Sequence, residues 1–144
     1  MLINHIRLAM VNKEYLKSLI YKINGAAIEV HKTIGPGLLE SVYHKCLKHE
    51  MDLRGINYKS GMLVPVYYKE IFVEAELWCD LFVENTIVVE LKAVERVLPI
   101  HEAQILTYMK LLEVPMGLII NFNCLNIYES GQKTYVNDLY RLLH

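Results

Sequence analysis

The hydrophobic period of this chain changes twice, and these two changes constrain its fold more than any other feature. Apolar residues recur at helical spacing over residues 12–53 and at strand-like spacing over residues 62–94. After Pro99 the helical spacing returns, and one more apolar strand follows. This order predicts an α/β fold, a three-layer αβα sandwich in which helices cover both faces of a central mixed sheet.

Two helices are predicted before the strands. The first covers residues 12–34 with Asn12 as its N-cap, and the sequence GPG at 35–37 ends it, because glycine suits a helix C-cap and proline cannot continue the helix. The second covers residues 38–53 and ends at Gly55. The spacing predicts these core-facing side chains: Leu16, Ile20, Ile23, Ala27 and Val30 in the first helix, and Leu39, Val42, Cys46 and Leu47 in the second.

The middle of the chain is predicted to form three strands, at residues 62–68, 71–83 and 86–94. A short turn at Lys69–Glu70 joins the first two, and Pro65 favours an edge strand or a bulge. The rest of the chain is predicted to contain a helix at 101–112, a strand at 116–123, a small hairpin around Ser130–Gly131 and a last helix near 137–143.

The composition indicates one globular domain, predicted to span residues 1–144. A hydrophobic content of 53% excludes a disordered chain. No apolar run reaches the roughly 18 residues of a membrane span, and the N-terminus lacks the apolar stretch of a signal peptide. We therefore expect a cytoplasmic protein that does not contact membranes.

Charge and cysteine content exclude some functional classes. The 15 basic and 16 acidic residues give a net charge of −1, so no overall field would hold nucleic acid non-specifically, although a local groove remains compatible with the sequence. The 3 cysteines form no CxxC pair, which argues against a zinc knuckle or a four-cysteine iron–sulfur cluster.

The third predicted strand carries charge where a core strand should be apolar. Glu90 and Lys92 are two residues apart and must share one face of that strand. A two-residue turn at 84–85 would place Asp80 opposite Val89, whereas a three-residue loop at 84–86 places it opposite Glu90. We predict the longer loop, or an equivalent bulge, which brings the two carboxylates together.

Two carboxylates at one point repel each other unless a positive charge lies between them, and Mg²⁺ is typically held by one or two carboxylates with water and phosphate oxygens. Lys92 would then orient or help deprotonate the attacking water, or stabilise negative charge on a phosphate. The simpler interpretation is a solvated strand end with a Glu–Lys pair, and for the tripeptide ELK alone that interpretation is the better one.

Two helices offer further polar residues. Gln104 and Tyr108 are four residues apart on one helix face, with His101 one turn earlier, and could reach a phosphate or the attacking water. Glu40 lies in the first turn of the second predicted helix, with Tyr43 on the same side. Taken alone, the first set reads as a solvent-facing polar stripe and Glu40 as a helix cap. His31 is predicted to be a structural or surface histidine, and the sequence contains no P-loop.

Four stretches taken together resemble a known family. The segments AAIEVHKTIGPGLLESVYHKCLKHE, CDLFVENTIVVELKAVERV, HEAQILTYMK and GLIINFN are similar to the GxxExxY proteins of the PD-(D/E)XK nuclease superfamily. The namesake motif corresponds to Gly37, Glu40 and Tyr43, and the resemblance covers about residues 20–122 with motif order and spacing preserved.

The resemblance implies a role for each candidate residue. It makes Asp80 and Glu90 the metal-binding acids, with the Leu91 backbone carbonyl beside them, and Lys92 the catalytic lysine. Glu40 resembles the additional acid of RecB-like members. Gln104 and Tyr108 match their Q-xxx-Y element on the second core helix. The chain departs from the family pattern at two places, neither of which involves the metal ligands. Family members often have a glutamine just before the first core strand, where this chain has Gly61 nearby. The arginine that often ends the last strands of family members has no equivalent here.

The expected function is therefore a nuclease that uses Mg²⁺, with Mn²⁺ able to substitute, and acts on nucleic acid, with DNA as the expected substrate. The alternative is a catalytically weak or inactive nuclease-fold module that binds nucleic acid or a protein partner. A third interpretation, a structural ion-pair cluster, ranks last because exposed clusters add little stability. Lys45, Lys48 and Arg54 could touch a phosphate backbone, although a solvated helix face looks the same. Homodimerisation, endo- or exonuclease action and the biological pathway stay open.

Overall fold

The structure of the protein is a computed structural model that describes residues 11–144. The predicted domain of residues 1–144 begins outside this range, and so do the N-terminal residues considered as a signal peptide. The helices are α1 (Lys13–Ile34), α2 (Glu40–Leu53), α3 (Pro99–Leu111) and α4 (Asp138–Arg141). The strands are β1 (Tyr58–Leu63), β2 (Val66–Tyr68), β3 (Ile71–Val73), β4 (Trp78–Val83), β5 (Ile87–Lys92), β6 (Met116–Asn121) and β7 (Gln132–Val136).

Five strands form one mixed sheet in the order β1-β4-β5-β6-β7. Strands β5 and β6 run parallel, with α3 as their crossover, and the other neighbouring pairs in this sheet are antiparallel. Strands β2 and β3 form a separate two-stranded hairpin. The predicted α/β class with a central mixed sheet is confirmed.

The sheet has a hydrophobic core on each face. In β5, Ile87, Val89 and Leu91 belong to the core formed with α1 and α2, while Val88 belongs to the core formed with α3. This alternation is the period-2 pattern of a strand that is covered on both sides. The three-layer arrangement follows, with the end of β5 enclosed between helices of both layers.

The first two helices form where the sequence indicates, but several predicted core residues are not buried, among them Ile20 of α1, which is half-buried. The Asn12 side chain accepts a hydrogen bond from the Tyr15 amide at 2.7 Å and caps α1, as predicted. In α2 the predicted core residues Leu39 and Val42 are exposed, Cys46 is half-buried, and only Leu47 is buried as predicted. Helix α2 begins at Glu40 rather than at residue 38, and its buried stripe falls at four-residue intervals. The stripe consists of Tyr43, Leu47 and Met51.

The predicted strands at 62–68 and 71–83 are each interrupted. The ladder between β1 and β4 ends at Leu63 and Trp78, just before Pro65, which cannot donate a ladder hydrogen bond. The predicted turn at Lys69–Glu70 is confirmed, but it closes the short β2–β3 hairpin outside the main sheet. Both turn residues have positive φ, 48° and 71°, as a two-residue type I′ turn requires.

The C-terminal part contains a strand that the sequence analysis missed. A π-helical turn at Ile127–Gly131 leads into β7, which pairs antiparallel with β6, where a small hairpin around Ser130–Gly131 was predicted. Helix α3 begins at Pro99, two residues earlier than predicted, because proline suits the first helical position. Within residues 11–144, no helix combines the length and apolar character needed to cross a membrane.

Candidate active site

The β4–β5 connection determines which side chains meet. Val83 pairs with Ile87 and Leu81 with Val89, so residues 84–86 form a three-residue loop and the same register places Asp80 opposite Glu90. Glu84 and Asn85 both have positive φ, 50° and 54°, which turns the chain sharply without a glycine. The register predicted from the sequence is confirmed, and it brings two carboxylates to one point at the edge of the paired region.

Asp80 interrupts the ladders on both of its sides. Toward β5, the Asp80 carboxylate accepts a hydrogen bond from the Leu91 amide at 2.8 Å, where a backbone carbonyl of β4 would otherwise accept it. Toward β1, the residue opposite Asp80 is Gly61, and this position is skipped between the pairs Ser60–Leu81 and Met62–Cys79. Gly61 has a φ of +57°, in the left-handed region that favours glycine. The β4–β5 ladder therefore ends at Asp80, which leaves a polar gap between these two strands, while β1 and β4 pair again at the next position.

Glu90 is buried, with 5% of its surface exposed, and one of its oxygens lacks a partner. Its Oε1 atom has no hydrogen-bond partner among residues 11–144. Burial, followed by the negative charge of Asp80, raises the pKa of Glu90 to about 9, and the positive charge of Lys92 opposes this shift. A buried carboxylate without a full set of partners is costly, so Glu90 needs either a proton or a cation beside it.

Lys92 ends β5 on the same strand face as Glu90, and a buried amide fixes the chain around it. Phe122 donates its amide hydrogen to the Lys92 carbonyl at 2.9 Å. The Asn121 side chain accepts from the Val94 amide at 3.1 Å and donates to the Val94 carbonyl at 2.9 Å, so it holds the segment that leaves β5. The sequence analysis missed Asn121. Its signal was a polar residue at the carboxyl end of an apolar strand parallel to β5.

Helix α3 brings Gln104 and Tyr108 to the same site. The Gln104 Nε2 atom donates to the Tyr108 hydroxyl at 3.3 Å. Tyr108 is buried against the sheet, so the interpretation of this pair as a solvent-facing stripe is wrong for the tyrosine. Burial, and then the negative charges of Glu90 and Asp80 among others, raise the pKa of Tyr108. The hydroxyl therefore stays protonated and faces the acidic end of β5.

Glu40 approaches the site from the opposite layer. Partial burial and the negative charge of Asp80 raise the pKa of the Glu40 carboxyl, and Lys92, His44 and His101 act in the opposite direction. Glu40 lies in the first turn of α2, where the helix dipole favours an acid. Its carboxyl thus shares an electrostatic environment with both Asp80 and Lys92.

Tyr43 anchors the loop that precedes Glu40. Its hydroxyl donates to the Gly35 carbonyl at 2.6 Å and accepts from the Leu38 amide at 3.1 Å. Its ring stacks on Phe122, with centroids 4.5 Å apart and an interplanar angle of 8°. Because Phe122 directly follows β6, this stack joins the start of α2 to the strand ends that carry the site. The tyrosine of the glycine–acid–tyrosine motif thus has a structural role.

The histidines near these elements have structural contacts. His31 Nε2 donates to the Cys124 carbonyl at 2.8 Å, which confirms its predicted structural role. His101 Nδ1 accepts from the Leu98 amide at 3.0 Å and caps α3. His44, which the sequence analysis did not single out, lies 3.1 Å from the Ser60 hydroxyl through Nε2. It joins α2 to β1 next to Gly61.

The side chains present fit a divalent cation that keeps part of its water shell. Within residues 11–144, no three histidine, cysteine, aspartate or glutamate side chains converge into a ready-made metal cage. The unpartnered Glu90 oxygen, opposite Asp80, is the feature that a cation would satisfy. Such a donor set suits a hard divalent cation that binds through one or two carboxylates and retains waters, rather than a metal that needs an all-protein cage.

Comparison with protein families gives a match over most of the chain. The sequence profile of the PD-(D/E)XK nuclease superfamily matches residues 17–134, which is most of the chain. No curated protein and no solved structure gives a significant match. The matched range contains every candidate residue described above, from Glu40 to Tyr108.

Proposed function

Because the chain belongs to the PD-(D/E)XK nuclease superfamily, we propose that it is a divalent-metal-dependent nuclease that hydrolyses phosphodiester bonds of DNA. The superfamily supports a hydrolase of the nuclease type. The single observation that carries the rest of the proposal is the gap in the sheet at Asp80. There a buried and incompletely bonded Glu90 lies opposite Asp80, with Lys92 at the end of the same strand.

The proposed direct cation ligands are Asp80, Glu90 and the Leu91 backbone carbonyl, and Glu40, whose carboxyl does not converge with the other two, is proposed to reach the cation through a bound water. The Leu91 amide points toward β4, and the amide and carbonyl of one residue in an antiparallel pair point toward the same neighbour, so the carbonyl also faces the gap. A bound Mg²⁺, or Mn²⁺ in its place, would supply positive charge between the carboxylates and lower the pKa of an attacking water.

Lys92 is the proposed catalytic lysine. Its ammonium shares the face of β5 that carries Glu90, and Asn121 holds the following segment in place. A fixed cation at this position stabilises negative charge that develops on the phosphate, and it orients the attacking water. This contribution needs no movement of the strand during the reaction.

Gln104 and Tyr108 are proposed to position the substrate. The Gln104 side chain is exposed and donates to the Tyr108 hydroxyl, so both groups offer hydrogen bonds at the mouth of the site. Either can donate to a phosphate oxygen, or accept from the water that attacks it. Glu40, in the opposite helical layer, adds an acidic group whose charge is coupled to those of Asp80 and Lys92.

The subfamily, the cellular location, the domain organisation and the residues that contact the nucleic-acid backbone are proposed as well. Membership of the GxxExxY group rests on Gly37, Glu40 and Tyr43, and we propose a cytoplasmic protein that acts as a single domain. Among the basic residues considered for backbone contacts, Arg54 already pairs with Glu50 at 2.6 Å, so Lys45 and Lys48 are the better candidates.

The test is a cleavage assay on single-stranded, duplex and branched DNA and on RNA, with Mg²⁺ or Mn²⁺ and a chelator control. Wild type is compared with Asp80→Asn, and Asp138→Asn serves as the matched control, because Asp138 undergoes the same chemical change on the exposed α4. We expect metal-dependent cleavage of DNA by wild type and by Asp138→Asn, and a loss of at least about 100-fold in Asp80→Asn.

A metal titration by calorimetry on the same samples separates two failures. If Mg²⁺ or Mn²⁺ binds to wild type but not to Asp80→Asn, and no substrate is cut, the site exists and the protein is the catalytically weak binding module. If wild type binds neither metal and Asp80→Asn changes nothing, the proposed metal site is wrong.

A further inference from the structure

The β2–β3 hairpin stands apart from the main sheet. Its ladder consists of the three pairs Val66–Val73, Tyr67–Phe72 and Tyr68–Ile71, and the Tyr67 and Phe72 rings lie 5.4 Å apart. Neither strand has a second ladder neighbour in the part of the chain that the structure describes. An isolated two-stranded hairpin is at best marginally stable in water, so this one needs further strands or a covering surface.

The hairpin and its base expose large apolar side chains on both faces. The exposed residues are Leu63, Tyr67, Tyr68, Ile71, Phe72, Val73 and Trp78. A buried aromatic side chain covers about 150–250 Å², and each of the four aromatic residues is at least half exposed, so these rings alone present on the order of 400 Å². With the aliphatic residues, the exposed apolar area of the hairpin and its base approaches the ~800 Å² that each partner contributes to a stable protein interface, although it is divided between the two faces of the hairpin.

The charged residues of this segment indicate what kind of molecule covers the hairpin. Between Leu63 and Trp78 the side chains that are charged at neutral pH are Lys69, Glu70, Glu74 and Glu76, so acids outnumber bases by three to one. Nucleic acid and anionic membranes both require basic residues beside the apolar contacts, since counterion release or attraction to lipid phosphate supplies the affinity. The combination of apolar side chains with an excess of acidic ones fits contact with another protein surface.

The backbone groups at the free edge of the hairpin indicate which protein surface pairs with it. The pair next to the turn, Tyr68–Ile71, exchanges ladder hydrogen bonds within the hairpin, so the next residue, Tyr67, directs its amide and carbonyl outward. An outward amide and carbonyl on the same residue can pair with the same residue of an identical strand about a two-fold axis. We propose that β2 pairs antiparallel with β2 of a second copy of this chain, centred on Tyr67, to give a four-stranded sheet.

The charges favour β2 over β3 as the shared edge. A two-fold axis at Phe72 would place Glu70 directly opposite Glu74 of the second copy, and like charges in that position are destabilising. An axis at Tyr67 places Val66 opposite Tyr68 and Pro65 opposite Lys69, with no pair of like charges. The dimer contact thus follows from the hairpin alone and does not depend on the proposed nuclease activity.

Mass measurement in solution tests the contact. We expect wild type to show twice the 16.8 kDa monomer mass in sedimentation or light scattering at micromolar concentrations and above. Tyr67→Arg and Tyr67→Glu should each be monomeric, because two like charges then face each other across the axis. An equimolar mixture of the two variants should recover the dimer mass.

Tyr21→Arg and Tyr21→Glu are the matched controls, since Tyr21 is an exposed tyrosine on α1, and both should keep the wild-type mass. Far-UV circular dichroism confirms that every variant is folded. A monomeric wild type overturns the proposal and would indicate that a different protein covers the hairpin. A dimer that survives Tyr67→Arg, or a mixture that stays monomeric, overturns the pairing at Tyr67.

Discussion

The two halves of β5 differ in their surroundings although they belong to one strand of six residues. The first half, Ile87–Val89, is buried and paired with β4 on one side and β6 on the other. The second half, from Glu90 to Lys92, keeps its pairing with β6, but on the β4 side the ladder stops and the Asp80 carboxylate takes its place. Burial alone therefore does not separate core from site, because Glu90 is nearly as buried as Val89.

What separates the two halves is how their polar atoms are satisfied. The first half has no charged side chains, and its backbone groups form hydrogen bonds with the backbone of the neighbouring strands. In the second half a side chain substitutes for backbone, and one buried oxygen of Glu90 has no partner among the described residues. Substitutions in the first half should therefore cost stability, and substitutions in the second should cost activity.

The largest expected effect is on catalysis, from Lys92→Ala in the second half. Loss of a fixed charge that stabilises the transition state costs about 10²–10³-fold in rate, whereas the half-exposed Lys92 contributes little to folding. We expect the cleavage rate to fall by that factor while the free energy of unfolding changes by less than about 1 kcal/mol. Lys110→Ala, on the exposed side of α3, is the control and should change neither quantity. Equal cleavage rates for Lys92→Ala and wild type would falsify the catalytic assignment.

Ile87→Ala, in the first half, should have the opposite profile. Ile87 is fully buried, and removal of a buried aliphatic side chain typically costs about 2–5 kcal/mol through lost burial and the remaining cavity. Urea unfolding should show that loss, while the rate per folded molecule stays within a few-fold of wild type. A variant that keeps its stability but loses activity would contradict the division of β5 into two halves.

The raised pKa of Glu90, the first residue of the second half, predicts that the stability of the folded protein depends on pH. The pKa of Glu90 is raised in the folded protein from 4.5 to about 9, so between these values the folded state holds a proton that the unfolded state has released. Stability of the metal-free protein should therefore fall as pH rises across that window, by at most about 1.4 kcal/mol per pH unit from this group. Glu90→Gln should flatten the dependence, and added Mg²⁺ should weaken it in wild type. Identical slopes of unfolding free energy against pH for both proteins would show that Glu90 is not the group responsible.

The sequence was sufficient for the part of the site that depends on local geometry. Strand alternation fixes Glu90 and Lys92 on one face, and Asp80 could be placed opposite Glu90 once the three-residue loop had been chosen over the two-residue turn, a choice that the register of the structure confirms. The element order likewise predicts helices on both faces of the sheet. Each of these inferences spans only a few residues or one period of the pattern.

The features that the sequence did not reveal depend on contacts between distant segments. The Tyr43–Phe122 stack and the Asn121–Val94 hydrogen bonds join elements that no local period relates. Strand β7 was missed because a π-helical turn, rather than a tight hairpin turn, precedes it. The predicted strand at 71–83 was split because its first half pairs only with β2, outside the main sheet.

Gly61→Ala should produce the smallest effect, and it tests whether the gap at Asp80 depends on the neighbouring strand. Gly61 has a φ of +57° and nothing within 4 Å of an added Cβ, so the substitution costs conformational energy only, about 1–2 kcal/mol. The matched control is Gly55→Ala, because Gly55 has a φ of +69°, equally open surroundings and a position after α2, outside the sheet.

Both glycine variants should therefore lose similar stability in urea unfolding, but only Gly61→Ala should also lower the cleavage rate. Relief of its strain would move β1 against β4, next to Asp80, and shift that carboxylate relative to Glu90. A displacement of catalytic groups by a fraction of an ångström is enough to reduce a rate several-fold. If the two variants lose stability and retain full activity alike, the gap at Asp80 is maintained by β4 and β5 alone, and the contrast between the halves of β5 lies within that pair.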